Sequence, residues 1–355
     1  MAVNNIGVKK VNYKDKLKDK DQDIYILALE SSCDETAASV NKNGLEVLSN
    51  IVSSQVDLHK KFGGVVPEIA SRKHLELLLP VIDQALAEAG IEFKDLDAVA
   101  STYGPGLVGG LLVTLTAAKT ISLALKIPLI GVNHIVGHIY ANFIANPEIE
   151  KPLICLTVSG GHTDLLYFED LRGYKILGRT IDDAAGEAFD KISRFLGLGY
   201  PGGPAVEKAA LSGDKTAINF PRADLGDSYD FSFSGLKTAV MNYVNNEEQR
   251  RNEIDPNDLA ASFQEAVVNS LVSNLIRAVK EYKVESVVIS GGVAANQRLR
   301  EVIAERLKAY NLELYYPPLD LCTDNAAMIG AAAYYQYLEH DFAPLSISAD
   351  PSLKL

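Results

Sequence analysis

Cysteine is scarce in this 355-residue chain: Cys33, Cys155 and Cys322 stand far apart, odd in number and without a CxxC pair. That leaves no basis for a disulfide framework and makes reduced, structural thiols the expectation. Long apolar runs are missing too. The most apolar stretch, Leu111–Leu125, is broken by Thr, Ser and Lys and is shorter than the roughly 20 residues of a membrane span, so no membrane segment is expected. The N-terminus has no apolar core ahead of a small-residue cleavage site, and its charged run from Lys9 to Asp23 is too polar for a secretory signal. A cytoplasmic protein is the expectation. Positive charge is also in deficit, with 34 Lys and Arg against 46 Asp and Glu and a net charge of −12. This excludes a grip on nucleic acid through overall positive potential; an RNA substrate needs a local patch or a partner protein. The densest patch outside the N-terminal extension is Lys60, Lys61, Arg72 and Lys73, which reads first as a solvated helix face.

What is present is a globular balance, 47% apolar and 23% charged residues, in a chain long enough for two domains. Residues 1–23 read as a mobile charged extension. The expected division places 24–131 and 325–355 in a first lobe and 132–324 in a second. Ile24–Glu30 is an apolar run followed by Ser-Ser-Cys-Asp, then Thr36–Val40 and a turn at Asn41–Gly44. The same order returns at Leu153–Val158, the turn Ser159–Asp164 and Leu165–Phe168. A second pair supports a duplication: Asp97–Thr102 leads through Gly104-Pro105-Gly106 into a helical stretch, and Glu285–Ser290 leads through Gly291-Gly292 into Val293–Leu312. Pro67–Ala89 and Leu259–Tyr282 carry helical periodicity, and Asp324–Leu338 is expected to cross back onto the first lobe. Strands alternating with helices predict an α/β protein of two mixed-sheet lobes around a ligand cleft.

Two constellations carry chemistry. His134 and His138 stand four residues apart behind Asn133, a potential helix cap. On a helix they share one face and form a chelating arm, or else a half-buried structural pair. Asp324 is the best acidic candidate for a third ligand, the alternative being an ordinary N-cap. Two imidazoles and a carboxylate with open positions suit Fe(II) and catalytic Zn(II) alike. A zinc peptidase is disfavoured, because its general-base Glu position is Ile135. The glycine turns Ser159-Gly160-Gly161 and Gly291-Gly292 permit close approach of backbone to phosphate. Asp190 and Glu207 are candidates to bond ribose hydroxyls. Asp34, Glu35 and His162 are general-base candidates by type, none of them singled out.

These residues resemble one family. Ala28–Thr36, Gly104–Leu107, His134 with His138, Val158–Thr163, Asp182–Lys191, Tyr200–Pro204, Phe231–Lys237, Ser290–Asn296 and Thr323–Ala326 together are similar to the TsaD group of bacterial tRNA threonylcarbamoyladenosine transferases. That group lies within the superfamily of actin, sugar kinases and heat-shock chaperone ATPases, and the resemblance runs from Ile24 to about Tyr337. It implies two duplicated RNase H-like lobes around a central nucleotide cleft. The implied reaction moves a threonylcarbamoyl group from threonylcarbamoyl-AMP to the exocyclic amine of the adenosine 3′ of the anticodon, in tRNAs reading ANN codons, with release of AMP. His134, His138 and Asp324 match the family's metal ligands, for one divalent ion, Fe(II) first and Zn(II) second. Thr157, Val158, Ser159, Gly160, Gly161, Asp190, Gly203, Glu207 and Asn296 match its adenylate-binding positions. The implied partners are tRNA, a TsaB-like paralogue and a TsaE-like ATPase, with no membrane. A small-molecule kinase on the same fold and a nucleotide-sensing scaffold are the competing readings.

Overall fold

The computed structural model describes residues 17–18, 22–170 and 173–355; the expected N-terminal extension lies mostly outside them. The apolar run after Asp23 forms strand β1 (Tyr25–Glu30), followed by β2 (Glu35–Lys42), β3 (Glu46–Ser54) and the helices α1 (Val56–Lys60) and α2 (Pro67–Ala89). Next come β4 (Ala98–Gly104), α3 (Val108–Leu125), β5 (Leu129–Asn133) and α4 (His134–Ala145). The pattern restarts with β6 (Leu153–Val158), β7 (Thr163–Asp170) and β8 (Gly173–Arg179). Helices α5 (Ala185–Phe195), α6 (Gly202–Ala210), α7 (Ser234–Arg250) and α8 (Pro256–Tyr282) follow. The last elements are β9 (Ser286–Ser290), α9 (Gln297–Leu307), β10 (Leu314–Tyr315), α10 (Leu319–Cys322) and α11 (Ala326–Leu338).

Two compact units result, one holding the first three strands with Pro67–Gly137 and Asn325–Lys354, the other holding Gln55–Val66 and His138–Asp324. The first sheet runs β3-β2-β1-β4-β5, with β2 and β3 antiparallel and β4 and β5 parallel to their neighbours. The second runs β10-β9-β6-β7-β8 and repeats that topology strand for strand, a three-stranded meander and two parallel additions. The duplication read from the glycine turns is therefore a duplication of topology. Two strands exceed the sequence reading, β3 and β8, the outermost of each meander. The expected helix Val293–Leu312 is instead a 3-10 turn over Gly292–Ala295 and then α9, because the Asn296 side chain accepts the Leu299 N–H at 2.9 Å and starts a new helix.

In the first unit, α2 lays Leu78, Val81, Ile82, Ala85 and Leu86, spaced for one helical face, against Leu27, Leu29, Val40, Val99 and Leu129. Helix α3 has the length and mean hydropathy, 1.6, of a membrane-crossing segment. Its Leu111, Leu115 and Ala118 are buried while Leu112 and Leu123 are exposed, so one face of the helix packs on the unit and the other does not. Helix α11 packs on β1 and β2. Lys18 pairs with Asp97 at 2.9 Å, and its backbone N–H donates to the Tyr337 hydroxyl at 3.0 Å. In the second unit, α8 is capped by Asp255, which accepts the Asn257 N–H at 2.8 Å. It buries Leu259, Phe263, Val267, Leu271 and Leu275, and Phe263 meets Phe189 edge to face at 5.4 Å. The three cysteines are free thiols, and burial pushes Cys155 up to about 11, which keeps it inert.

One strand residue carries a pH-dependent cost. Asp164 on β7 is buried, and burial pushes its carboxyl up to about 6 from an ordinary 3.8, against the opposing pull of Arg179 4.0 Å away. The folded state thus holds this proton more tightly than the unfolded chain. No cost exists below pH 3.8; stability falls as pH rises towards 6, and above it the full cost, on the order of 3 kcal/mol, applies. Asp164→Asn is expected to gain about 1–3 kcal/mol at pH 8 and only about 0.5 kcal/mol at pH 4, by urea unfolding. A gain of equal size at both pH values would show that the carboxylate's ionisation is not what costs stability.

Candidate functional site

Helix α4 begins directly after β5, because Asn133 turns its side-chain oxygen back to accept the Ile135 and Val136 N–H groups at 2.9 and 3.4 Å. The helix is continuous, so His134 and His138 stand one turn apart on the same face, both buried. His134 Nδ1 lies 3.1 Å from both Glu30 Oε2 and Ser32 Oγ. Glu30 is fully buried at the end of β1 and also accepts from the Ser32 backbone N–H and the Thr102 hydroxyl. A carboxylate that only accepts places the His134 proton on Nδ1 and the ring lone pair on Nε2, where a metal takes it.

His138 Nε2 lies 3.1 Å from Asp324 Oδ1. One donor atom from each of His134, His138 and Asp324 lies within 4.8 Å of the others. The capping alternative for Asp324 fails, since Asn325 caps α11 by accepting the Met328 N–H at 3.0 Å. Asp324 stands one residue earlier and turns to His138. Two ligands each about 2.0–2.2 Å from one cation sit about 3 Å apart when they occupy adjacent positions. The His138–Asp324 spacing, the nitrogen and oxygen donors and the backing carboxylate therefore fit a borderline divalent ion. Glu30 is the partner of His134 that sequence reasoning passed over; its one signal was a carboxylate closing an otherwise apolar strand.

The second unit holds the residues expected around an adenylate. Thr157 is buried, and its hydroxyl lies 2.8 Å from Ser290 Oγ, inside the sheet. Val158 is buried as well, so at these two positions only backbone is available to a ligand. Gly291, at φ +84, packs so closely that a Cβ would lie 2.5 Å from the Val158 carbonyl oxygen. Gly160, Gly161 and Gly203 differ: none has a positive φ, and a Cβ on any of them meets no protein atom within 4 Å. Nothing among the described residues demands glycine there, and the bare backbone is open to close approach. Asn296 caps α9 and donates to Gln264 Oε1 at 2.8 Å. Glu207 Oε1 accepts the Gln297 N–H at 2.6 Å and lines a hollow of about 240 Å³ with Lys215, Gln264 and Arg298. Asp190 Oδ1 accepts the Gly202 N–H at 2.7 Å and lines a different hollow.

The general-base candidates are placed apart in role. Asp34 is buried with no hydrogen-bond partner for Oδ2 among the described residues. Glu35 accepts from the Ser54 hydroxyl at 3.0 Å. His162 closes the glycine turn, its N–H donating to Ser159 Oγ at 3.2 Å.

Comparison with known proteins gives a consistent result. Residues 46–331 match the family described as TsaD, tRNA N6-adenosine threonylcarbamoyltransferase. Proteins of that name from Clostridium kluyveri, Moorella thermoacetica and Clostridioides difficile are each 56% identical to this chain, over 337, 331 and 334 residues. The alignments cover 94%, 93% and 94% of this chain and 99%, 97% and 99% of theirs. Among solved structures, T. kodakarensis HypF superposes with a TM-score of 0.63 at 16% identity, over 90% of this chain and 48% of that one. Component A of the Acidaminococcus fermentans (R)-2-hydroxyglutaryl-CoA dehydratase gives 0.52 at 15% identity, over 90% and 99%. At such identities the likeness is one of fold, the α/β fold of actin, sugar kinases and heat-shock ATPases anticipated from the motifs.

Proposed function

We propose a metal-assisted route, with an adenylate as acyl donor, for a chain that belongs to the tRNA N6-adenosine threonylcarbamoyltransferase family. The chain is accordingly a transferase that modifies adenosine in tRNA. The donor is threonylcarbamoyl-AMP and the acceptor the adenosine 3′ of the anticodon in tRNAs reading ANN codons. The observation that carries the route is the convergence of His134, His138 and Asp324 donor atoms within 4.8 Å. Those three side chains would hold one divalent ion, Fe(II) or, second, Zn(II). When bound, such an ion supplies Lewis-acid polarisation of the carbamoyl group. Glu30 and Ser32 fix the His134 ring so that its coordinating nitrogen faces inward. The Ser159–Gly161 turn and Gly203 admit the adenylate against backbone, and Asp190 or Glu207, which line different hollows, accepts from its ribose hydroxyls.

Partner proteins resembling TsaB and TsaE belong to the same proposal. A chain of net charge −12 needs help with RNA. The first unit also leaves an apolar stripe of α2 and α3 uncovered, with Leu75 66% and Leu79 68% exposed beside Leu112 and Phe93 over a groove of about 660 Å³. A stripe of that kind supports a protein partner. The proposed compartment is the cytoplasm.

The test is mass-spectrometric detection of N6-threonylcarbamoyladenosine in digested tRNA after incubation of the chain with threonylcarbamoyl-AMP, unmodified tRNA and the partner proteins. Modified nucleoside and AMP should appear in equal amounts; AMP without nucleoside would remove the acyl-transfer reading. Gly203→Val should keep the melting temperature while weakening AMP binding about tenfold or more, the size of a 1–3 kcal/mol steric clash. Unchanged AMP affinity would take Gly203 out of the adenylate site.

A further inference from the structure

The hollow of about 600 Å³ that Asp190 lines in the second unit is also lined by Lys60, Phe62, Gly63, Gly64, Arg194 and Tyr200. Lys60, Phe62, Gly63 and Gly64 belong to the stretch Lys60-Lys61-Phe62-Gly63-Gly64, two cations, an aromatic and two glycines in succession. The loop is anchored on a fully buried residue. The His59 carbonyl accepts the Phe62 and Gly64 N–H groups at 2.9 and 3.3 Å, and its ring Nδ1 accepts the Val66 N–H at 3.3 Å. Phe62 is nevertheless 56% exposed, so the anchored loop presents the ring outward. A single exposed aromatic is ordinary; its surroundings here are not.

Arg194 donates from Nη2 to the Gly63 carbonyl at 2.7 Å, which fixes the guanidinium beside the loop. Gly64, at φ +149, makes room for it, since a Cβ would come within 2.9 Å of that nitrogen. Gly197 and Gly199 also line the hollow and leave backbone bare, with no atom of the described residues within 4 Å of an added Cβ. Lys60 pairs with Asp57 at 2.9 Å, but that carboxylate is 94% exposed, and such a surface pair yields to a phosphate at little cost. Asp190 is the single carboxylate in the lining, and it is bonded to the Gly202 N–H. An exposed ring beside a fixed guanidinium, a surface lysine and bare backbone is the combination that single-stranded nucleic acid uses, stacking bases and neutralising phosphates. The acceptor chemistry points the same way, because a paired adenosine has its N6 amine engaged, so the reacting nucleotide is unpaired.

We propose that this hollow holds an unpaired nucleotide of the tRNA substrate, with its base stacked on Phe62 and its phosphate against Lys60 and Arg194. The inference rests on tRNA being the substrate and adds where the chain grips it. The test is fluorescence anisotropy of labelled, unmodified tRNA with the full-length chain together with the partner proteins. Phe62→Ala and, as a second variant that keeps an apolar side chain, Phe62→Leu should each weaken binding about tenfold, while Phe62→Tyr retains it. Lys60→Glu combined with Lys61→Glu should weaken binding and lower the slope of log affinity against log salt by about one to two. Lys280→Glu, elsewhere on the unit, serves as the charge control, and AMP affinity should stay within twofold throughout. Wild-type tRNA affinity in both the phenylalanine and lysine variants overturns the site, even where modified nucleoside still forms and the tRNA reading stands. Weakened binding of a partner protein with tRNA affinity intact likewise overturns it in favour of a protein contact. A wild-type chain that neither binds tRNA nor forms modified nucleoside would instead remove the reading beneath the proposal.

Discussion

Asp324→Ala is expected to empty the protein of tightly bound metal and to lower formation of the modified nucleoside by at least about a hundredfold. Loss of a residue that merely orients a ligand already costs 10–100-fold, and Asp324 is proposed as a ligand itself. The neighbouring Asn325→Ala gives the contrast. Asn325 caps α11, so its loss should cost about 1 kcal/mol of stability while leaving metal content intact. The pair separates the two roles that a carboxylate before a helix can have: a cap reports in unfolding experiments, a ligand in metal analysis. Metal bound to the Asp324→Ala protein with wild-type stoichiometry and affinity would dismantle the proposed centre. The same experiment speaks to the kinase alternative, which requires no paired-histidine metal site. The peptidase alternative is weakened independently, since Ile135 is buried and apolar where that chemistry needs a carboxylate base.

Much of this was legible in the chain, and the illegible parts share physical reasons. Helix α2 was readable to its boundaries because its apolar positions recur at three and four residues and Pro67 opens it. The duplicated glycine turns were readable because each follows a continuous apolar strand. Strands β3 and β8 were not: they lie at sheet edges, and both are mostly half-exposed, so neither shows a sustained apolar face. His134 and His138 were readable from spacing as a candidate pair, with a half-buried structural pair as the equal alternative, whereas Asp324 needed the resemblance, because no local rule separates a ligand from a cap one residue away from where the cap stands. Thr157 shows the converse. The motif marks its position, but strand alternation turns its hydroxyl onto Ser290 within the sheet.

Glu30 shows what a motif conceals when its residues act through another side chain. Its carboxylate accepts from the Ser32 N–H, the Thr102 hydroxyl and the His134 ring with no exposure to solvent. Glu30→Ala leaves those donors buried without their acceptor, and the expected cost is about 3–5 kcal/mol of folding stability. Glu30→Gln is the sharper test, because the shape is kept and only the acceptor character changes. The amide NH2 must face one of the former donors. If it faces His134, the ring exposes a lone pair at Nδ1 and moves its proton to Nε2, the nitrogen a metal needs. Chelator-competition titration should then show metal affinity lower by about 10–100-fold, with unfolding of the metal-free protein changed far less than in Glu30→Ala. Equal metal affinity in the wild-type and Glu30→Gln proteins would mean that the His134 tautomer is set by Ser32 or by another neighbour, and that the buried carboxylate serves the strand end alone.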